Sequence, residues 1–229
     1  MRPKLFLVYE RHVEKETNEM TQEMKNGLFI SFEGIDACGK STQAELLYEF
    51  LRKKGKEVIR LRDPGATPIS EAIRTILLDN RNDAMSPWAE LLLYEAARAQ
   101  MVEESIKPAL DAGQVVLCDR FYDSTTAYQG YARGLDLAIV DQANQIGSVG
   151  LTPDVTFVID VDPKIAVERK IKLGEPADRM EAEGFSFQEK VRGGYLKIAD
   201  RNPDRVKLID GSQSINDIQD QIRLLLQPI

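Results

Sequence analysis

Five short apolar runs, at residues 28–32, 58–61, 115–118, 155–161 and 206–209, punctuate a chain in which apolar residues otherwise return every third or fourth position. Short uninterrupted runs predict strands buried on both faces. The longer stretches predict amphipathic helices. Their apolar stripes are Ala44, Leu47 and Leu51; Ile69, Ile73, Ile76 and Leu77; Phe187, Val191 and Tyr195; and Ile215, Ile218, Ile222 and Leu225. Strands alternating with helices predict an α/β fold, a three-layer sandwich with a five-stranded parallel sheet covered on both faces. The punctuation agrees. Gly55 closes the first helix, Arg62-Asp63-Pro64-Gly65 reads as a turn, and Ser86-Pro87 supplies an N-cap with proline at the first helical position. The helix that follows is expected over 88–110, interrupted or bent near Pro108.

Two segments fall outside this rhythm. Residues 1–26 carry a short apolar piece and then Glu10, Arg11, Glu14, Lys15, Glu16 and Glu19, with no core-facing stripe. They read as a flexible N-terminal extension, too acidic for a transit peptide, and a start at Met24 would leave a complete domain at 27–229. Residues 170–184 are charged and broken by Gly174, Pro176 and Gly184, which predicts a mobile lid inserted into that single domain. No internal repeat or low-complexity segment is present.

Composition narrows the class. The formal net charge of −7 over 229 residues argues against a general binder of nucleic acid or of anionic membrane. Cys38 and Cys118, the two cysteines, cannot form a disulfide framework and suit a reducing, cytoplasmic setting. No apolar run approaches the length of a membrane span and no signal-peptide pattern opens the chain.

Chemistry concentrates at Gly34-Ile35-Asp36-Ala37-Cys38-Gly39-Lys40-Ser41-Thr42, a G-x-x-x-x-G-K-S loop between the first predicted strand and helix. In that context the backbone N–H groups cradle phosphates, Lys40 reaches the β- and γ-phosphates, and the Ser41 hydroxyl holds Mg²⁺. Such a loop serves GTP switches, ATP motors and small-molecule kinases alike. The chain lacks an Asn-Lys-x-Asp base-reading element and carries a late lid, which favours a compact kinase that excludes water between two anionic substrates. Asp119-Arg120 ends the third strand, where an open α/β sheet places its ligands. Asp119 could hold water in a Mg²⁺ shell and Arg120 a phosphate, with a plain ion pair as the competing reading. Tyr94 and Arg98 share a helix face, either as a recognition pair or as a half-buried ring beside a solvated guanidinium. The polar and aromatic segment 121–134 reads as a recognition loop.

Phe32-Glu33-Gly34-Ile35-Asp36, Lys40-Ser41-Thr42-Gln43, Arg62-Asp63-Pro64-Gly65-Ala66-Thr67, Glu71-Ala72-Ile73-Arg74 and Asp119-Arg120 with Ala127-Tyr128-Gln129-Gly130 closely resemble the bacterial thymidylate kinases, P-loop nucleoside monophosphate kinases, over residues 27–227. The resemblance implies ATP-dependent, Mg²⁺-assisted phosphorylation of dTMP to dTDP by a homodimer, with the 88–110 helix a plausible contact. It implies that Lys40 stabilises the transferring group, that Asp36 holds the 3′-hydroxyl of dTMP, and that Arg74 and Arg120 grip its phosphate. Tyr94 stands where the family has a stacking Phe, Arg98 where an arginine bonds the thymine carbonyl, Thr125 and Gln129 near the base, and Tyr128 against the ribose 2′ position. Asp63, also implied at dTMP, replaces a more usual Glu, and Cys38 a small residue. With no arginine between Gly34 and Gly39, the resemblance is to members whose lid supplies the catalytic cation. Arg179 is the candidate, and Arg169 is expected near the adenine.

Overall fold

The computed structural model describes residues 27–174 and 178–226; the expected N-terminal extension and residues 175–177 of the expected lid lie outside it. Five strands, β1 (Leu28–Glu33), β2 (Val58–Arg62), β3 (Val115–Asp119), β4 (Val155–Asp160) and β5 (Val206–Asp210), form one parallel sheet in the order β2-β3-β1-β4-β5. The strand order reverses direction beside β1. Open parallel sheets bind ligands in the crevice at the carboxyl ends of the strands at such a reversal, and β1 and β3 end at Glu33 and Asp119.

Period-two alternation sends neighbouring side chains to opposite faces. Phe29, Val116 and Cys118 point to one face, packing with Met101, Val102, Ile106 and Phe121, while Ile30, Phe32 and Leu117 join the larger cluster on the other. Helices close both faces: α1 (Lys40–Lys53), α2 (Pro68–Leu78), α3 (Pro87–Met101), α4 (Lys107–Asp111), α5 (Tyr122–Thr125), α6 (Leu137–Gly147), α7 (Pro163–Leu173), α8 (Phe185–Arg201) and α9 (Ile215–Leu225). Thr67, Ser86, Asp162 and Ser214 cap α2, α3, α7 and α9 through their side chains.

One local expectation holds and two change. The 88–110 helix is indeed interrupted before its end. A π stretch, Val102–Ile106, separates α3 from α4, ahead of Pro108, whose ring cannot follow a regular turn. Segment 121–134 is not a loop: α5 runs directly into a second π stretch, Thr126–Ala132. This wide turn packs on α8, where Gly194 permits the approach; a Cβ there would lie 3.0 Å from the Tyr131 side chain. Finally, the apolar stripe of α2 is rotated from its expected burial. Ser70 and Leu77 face inward, Ser70 Oγ donating to the Ala97 carbonyl at 2.5 Å, while Ile69 and Ile76 remain exposed.

Candidate active site

The glycine loop leaves β1 through Gly34 at φ +136°, where a Cβ would stand 2.6 Å from the Ile159 carbonyl. Only glycine permits that approach. Gly39, at φ +107°, is the N-cap of α1. Lys40 folds back over the loop, its ammonium donating to the Ile35 carbonyl at 3.0 Å and lying 3.8 Å from Cys38 Sγ. Cys38 is buried, and burial raises its thiol pKa despite Lys40. Arg169, from α7, spans two carbonyls, Cys38 at 3.1 Å and Gly211 at 2.9 Å, so it ties the loop to the end of β5.

Ser41 Oγ donates to Asp119 Oδ2 at 2.5 Å, bringing the first turn of α1 against the end of β3. Among the described residues no group of three His, Cys, Asp or Glu side chains gathers as a metal cage. A cation held by Ser41 and Asp119 would therefore fill its shell with phosphate oxygens and water. Mg²⁺ has that habit, and these residues fit it.

Arg120 adopts φ +74° at the strand end, which turns its guanidinium back across β1. One terminal nitrogen donates to the Gly34 carbonyl at 3.0 Å, Ser124 Oγ at 3.1 Å and the Tyr195 hydroxyl at 3.2 Å; the other reaches Asp36 at 2.5 Å and the Tyr128 hydroxyl at 3.2 Å. Its carboxylate partner is Asp36, across the loop. Burial acts to raise the Asp36 pKa, but Arg120 and Lys40 outweigh it and hold the carboxyl below its ordinary value. Behind Arg120 lies Glu33, fully buried, accepting from the Phe121 amide at 2.7 Å, Ser124 Oγ at 2.6 Å and the Tyr195 hydroxyl at 2.9 Å. Burial, and then the charge of Asp123, push its pKa up to about 7.

Two clefts open over this floor. The first is lined by Asp36, Asp63, Pro64, Arg74, Leu78, Tyr94, Arg98, Arg120, Ser124, Thr125, Tyr128, Gln129, Asp178 and Met180. All nine residues expected to contact the acceptor nucleotide are among them. The second contains the glycine loop from Asp36 to Thr42, with Asp119, Arg169, Lys170, Lys172 and Glu181. The clefts share Asp36, Asp63, Arg74, Arg120 and Asp178, so two arginines stand in their common wall. Arg98 is buried rather than solvated: its Nε donates to Asp63 at 2.6 Å, and its other nitrogens to Glu95 at 2.6 Å and Thr125 Oγ1 at 2.8 Å. Arg74 donates to the Pro64 carbonyl at 3.1 Å across the cis Asp63–Pro64 turn.

A thymidylate kinase family model matches residues 32–222. The chain belongs to the thymidylate kinase family. The thymidylate kinase of Caldanaerobacter subterraneus subsp. tengcongensis is 51% identical over 189 residues, covering 82% of this chain and 89% of that protein. That of Chlorobaculum tepidum is 48% identical over 203 residues, covering 85% and 94%. The crystal structure of the Ehrlichia chaffeensis thymidylate kinase superposes with a TM-score of 0.72 at 36% identity, over 88% of this chain and 99% of that one.

One residue expected at the family's phosphate site is placed elsewhere. Arg179 does not face the glycine loop. Its Nε donates to the Leu77 carbonyl at 2.7 Å and a terminal nitrogen meets Glu90 at 2.7 Å, in a buried site behind the first cleft. An unpaired buried carboxylate is costly, and Glu90 offers the stronger local partner. The lid cations that line the second cleft are Lys170 and Lys172, with Lys170 paired to Glu181. Glu33, Glu90, Glu95 and Tyr195 were missed in the sequence as site residues. For Glu90 a signal existed: it precedes Tyr94 and Arg98 in the same row of four-residue steps along α3.

Proposed function

We propose that this chain transfers the terminal phosphoryl group of ATP to dTMP, giving ADP and dTDP. The observation that carries the reading is the common wall: the cleft that holds the glycine loop and the cleft lined by Tyr94 and Arg98 meet at Arg74 and Arg120. Two polyanions can approach there without prohibitive repulsion. The base lies against Tyr94, with Arg98, Thr125 and Gln129 at its polar edge. Asp36 is ionised and acceptor-only, so it takes the sugar 3′-hydroxyl proton as a hydrogen bond. Tyr128, packed under Arg120, fills the space a 2′-hydroxyl would need.

An oxygen of the acceptor phosphate attacks the γ-phosphorus as the bond to the β,γ-bridging oxygen breaks, and ADP leaves. Lys40, the loop amides and Arg120 hold the charge that shifts between the two nucleotides, and the lid excludes water that would otherwise accept the group. Ser41 and Asp119 would hold Mg²⁺, which when bound neutralises the β- and γ-phosphate oxygens. Lys170 and Lys172, which line the second cleft, would supply the lid's positive charge toward the triphosphate.

A homodimer fits the exposed apolar side chains on three neighbouring helices: Ile69 and Ile76 of α2, Trp88 and Leu92 of α3, and Ile139 and Ile146 of α6. Both cysteines are free and buried, as a cytoplasmic setting allows; no described helix is long and apolar enough to cross a membrane. The test is an ADP-release assay across the nucleoside monophosphates with dTDP identified as product. Preference for dTMP over AMP and over the ribonucleotide counterpart is expected, and equal rates on all would refute the assignment.

A further inference from the structure

Glu90 is a charged residue with no exposed surface, on the middle helix of the acceptor cleft, and it gathers partners from three directions. Its Oε1 accepts from Gln129 Nε2 at 2.8 Å and Arg133 Nε at 3.1 Å; its Oε2 accepts from Arg133 at 3.0 Å and Arg179 at 2.7 Å. Gln129 lines the acceptor cleft. Arg179 comes from the lid, and its chain neighbours Asp178 and Met180 form part of the wall of the same cleft. A second strut runs parallel, since Arg133 also meets Glu183 of the lid at 2.5 Å. The backbone N–H of Arg179 donates to the Leu78 carbonyl at 3.3 Å, which seats the lid on the end of α2.

We propose that Glu90 and Arg179 are positioning residues, a buried latch through which the acceptor-base pocket and the lid order one another. The inference rests on the dTMP kinase reading and gives Arg179 a role other than that of a transition-state cation. One carboxylate orients Gln129 at the base and anchors the lid whose residues close the same cleft. A nucleotide that fixes Gln129 therefore fixes Glu90 in the position that receives Arg179. Charge-assisted bonds made through one shared carboxylate are cooperative, and removing a partner leaves the others unsatisfied. With the latch open, the lid no longer seals the acceptor cleft, and water competes with dTMP for the phosphoryl group.

Glu90→Gln is the selective perturbation. It keeps the shape and an acceptor for Gln129 but sets an amide N–H against the Arg179 guanidinium, donor facing donor. Glu90→Gln, Arg179→Leu and the double variant are assayed for dTDP formation and for ADP release with and without dTMP. Each single variant is expected to raise the KM for dTMP about 10- to 100-fold, the loss of one charged hydrogen bond. The KM for ATP should stay within about twofold, and ADP should exceed dTDP. The double variant should be no worse than the poorer single one, because both break one interaction. In hydrogen exchange, dTMP should protect lid residues 178–184 in the wild type and far less in Glu90→Gln, a readout that does not depend on activity.

A fall in kcat of about 10³ in Arg179→Leu, with the dTMP KM and the ADP-to-dTDP ratio unchanged, is the signature of a transition-state cation and overturns the latch. Equal protection of the lid by dTMP in wild type and Glu90→Gln overturns it as well. A wild type that makes no dTDP refutes the reaction assignment instead.

Discussion

Glu33→Gln tests the electrostatics beneath the site. The wild-type carboxyl sits with no exposed surface, and its pKa is raised from 4.5 to about 7 by burial first and by Asp123 second. Because the folded value lies above the unfolded one, the folded chain holds this proton more tightly. Stability is therefore lost as the pH rises from about 4.5 toward about 7 and is level above that. Each unit between the two values is worth about 1.4 kcal/mol, so the ionised carboxylate costs on the order of 3 kcal/mol at pH 8. Glutamine removes the charge and keeps the bonds. Its carbonyl takes the place of Oε1 before the Phe121 amide, and its NH₂ donates to the Ser124 and Tyr195 hydroxyls, which can turn to accept. For a domain of this size, 1 kcal/mol moves Tm by roughly 2–4 °C, so the variant should melt roughly 6–12 °C above wild type at pH 8. Near pH 5 the advantage should vanish. The assay is calorimetric melting of both proteins between pH 5 and 8. A Tm difference independent of pH, or a variant less stable at pH 8, would refute the reasoning.

Three further outcomes are expected. Arg98→Met should destabilise the fold by about 3–5 kcal/mol, because Asp63 and Glu95 would lose their buried partner; Asp63→Asn added to it should recover part of the urea midpoint. Lys40→Ala should lower kcat by about 10²–10³ with an unchanged circular dichroism spectrum, since under the proposed mechanism Lys40 meets the transferred charge, and its bonds in the structure are confined to the loop carbonyl of Ile35 and Cys38 Sγ. Asp119→Asn should raise the Mg²⁺ concentration for half-maximal rate by about 10- to 100-fold, and chelation should abolish dTDP formation in both proteins.

The sequence by itself determined the sheet, the glycine loop and most of the residues that line the first cleft. Short apolar runs alternating with helical stripes call for a helix-covered parallel sheet, although only β1, β3 and β4 are buried on both faces and the edge strands β2 and β5 stay partly exposed; G-x-x-x-x-G-K-S between a strand and a helix admits few backbone paths. Tyr94 and Arg98 were legible because helical spacing is local. Whether Arg98 was solvated was not, since its burial depends on Asp63, just past β2, and on Thr125, which ends α5 ahead of the second π stretch. That π stretch itself was hidden, because close packing of Gly194 against Tyr131 selects the wide turn, and composition does not record it. Arg179 shows the limit most plainly. A lid arginine has the right charge for a phosphate, but pairing is decided by distance and desolvation, and Glu90, 89 positions earlier in the chain, lies nearer. Residue type supplied the charges; only the tertiary structure decided which of them meet.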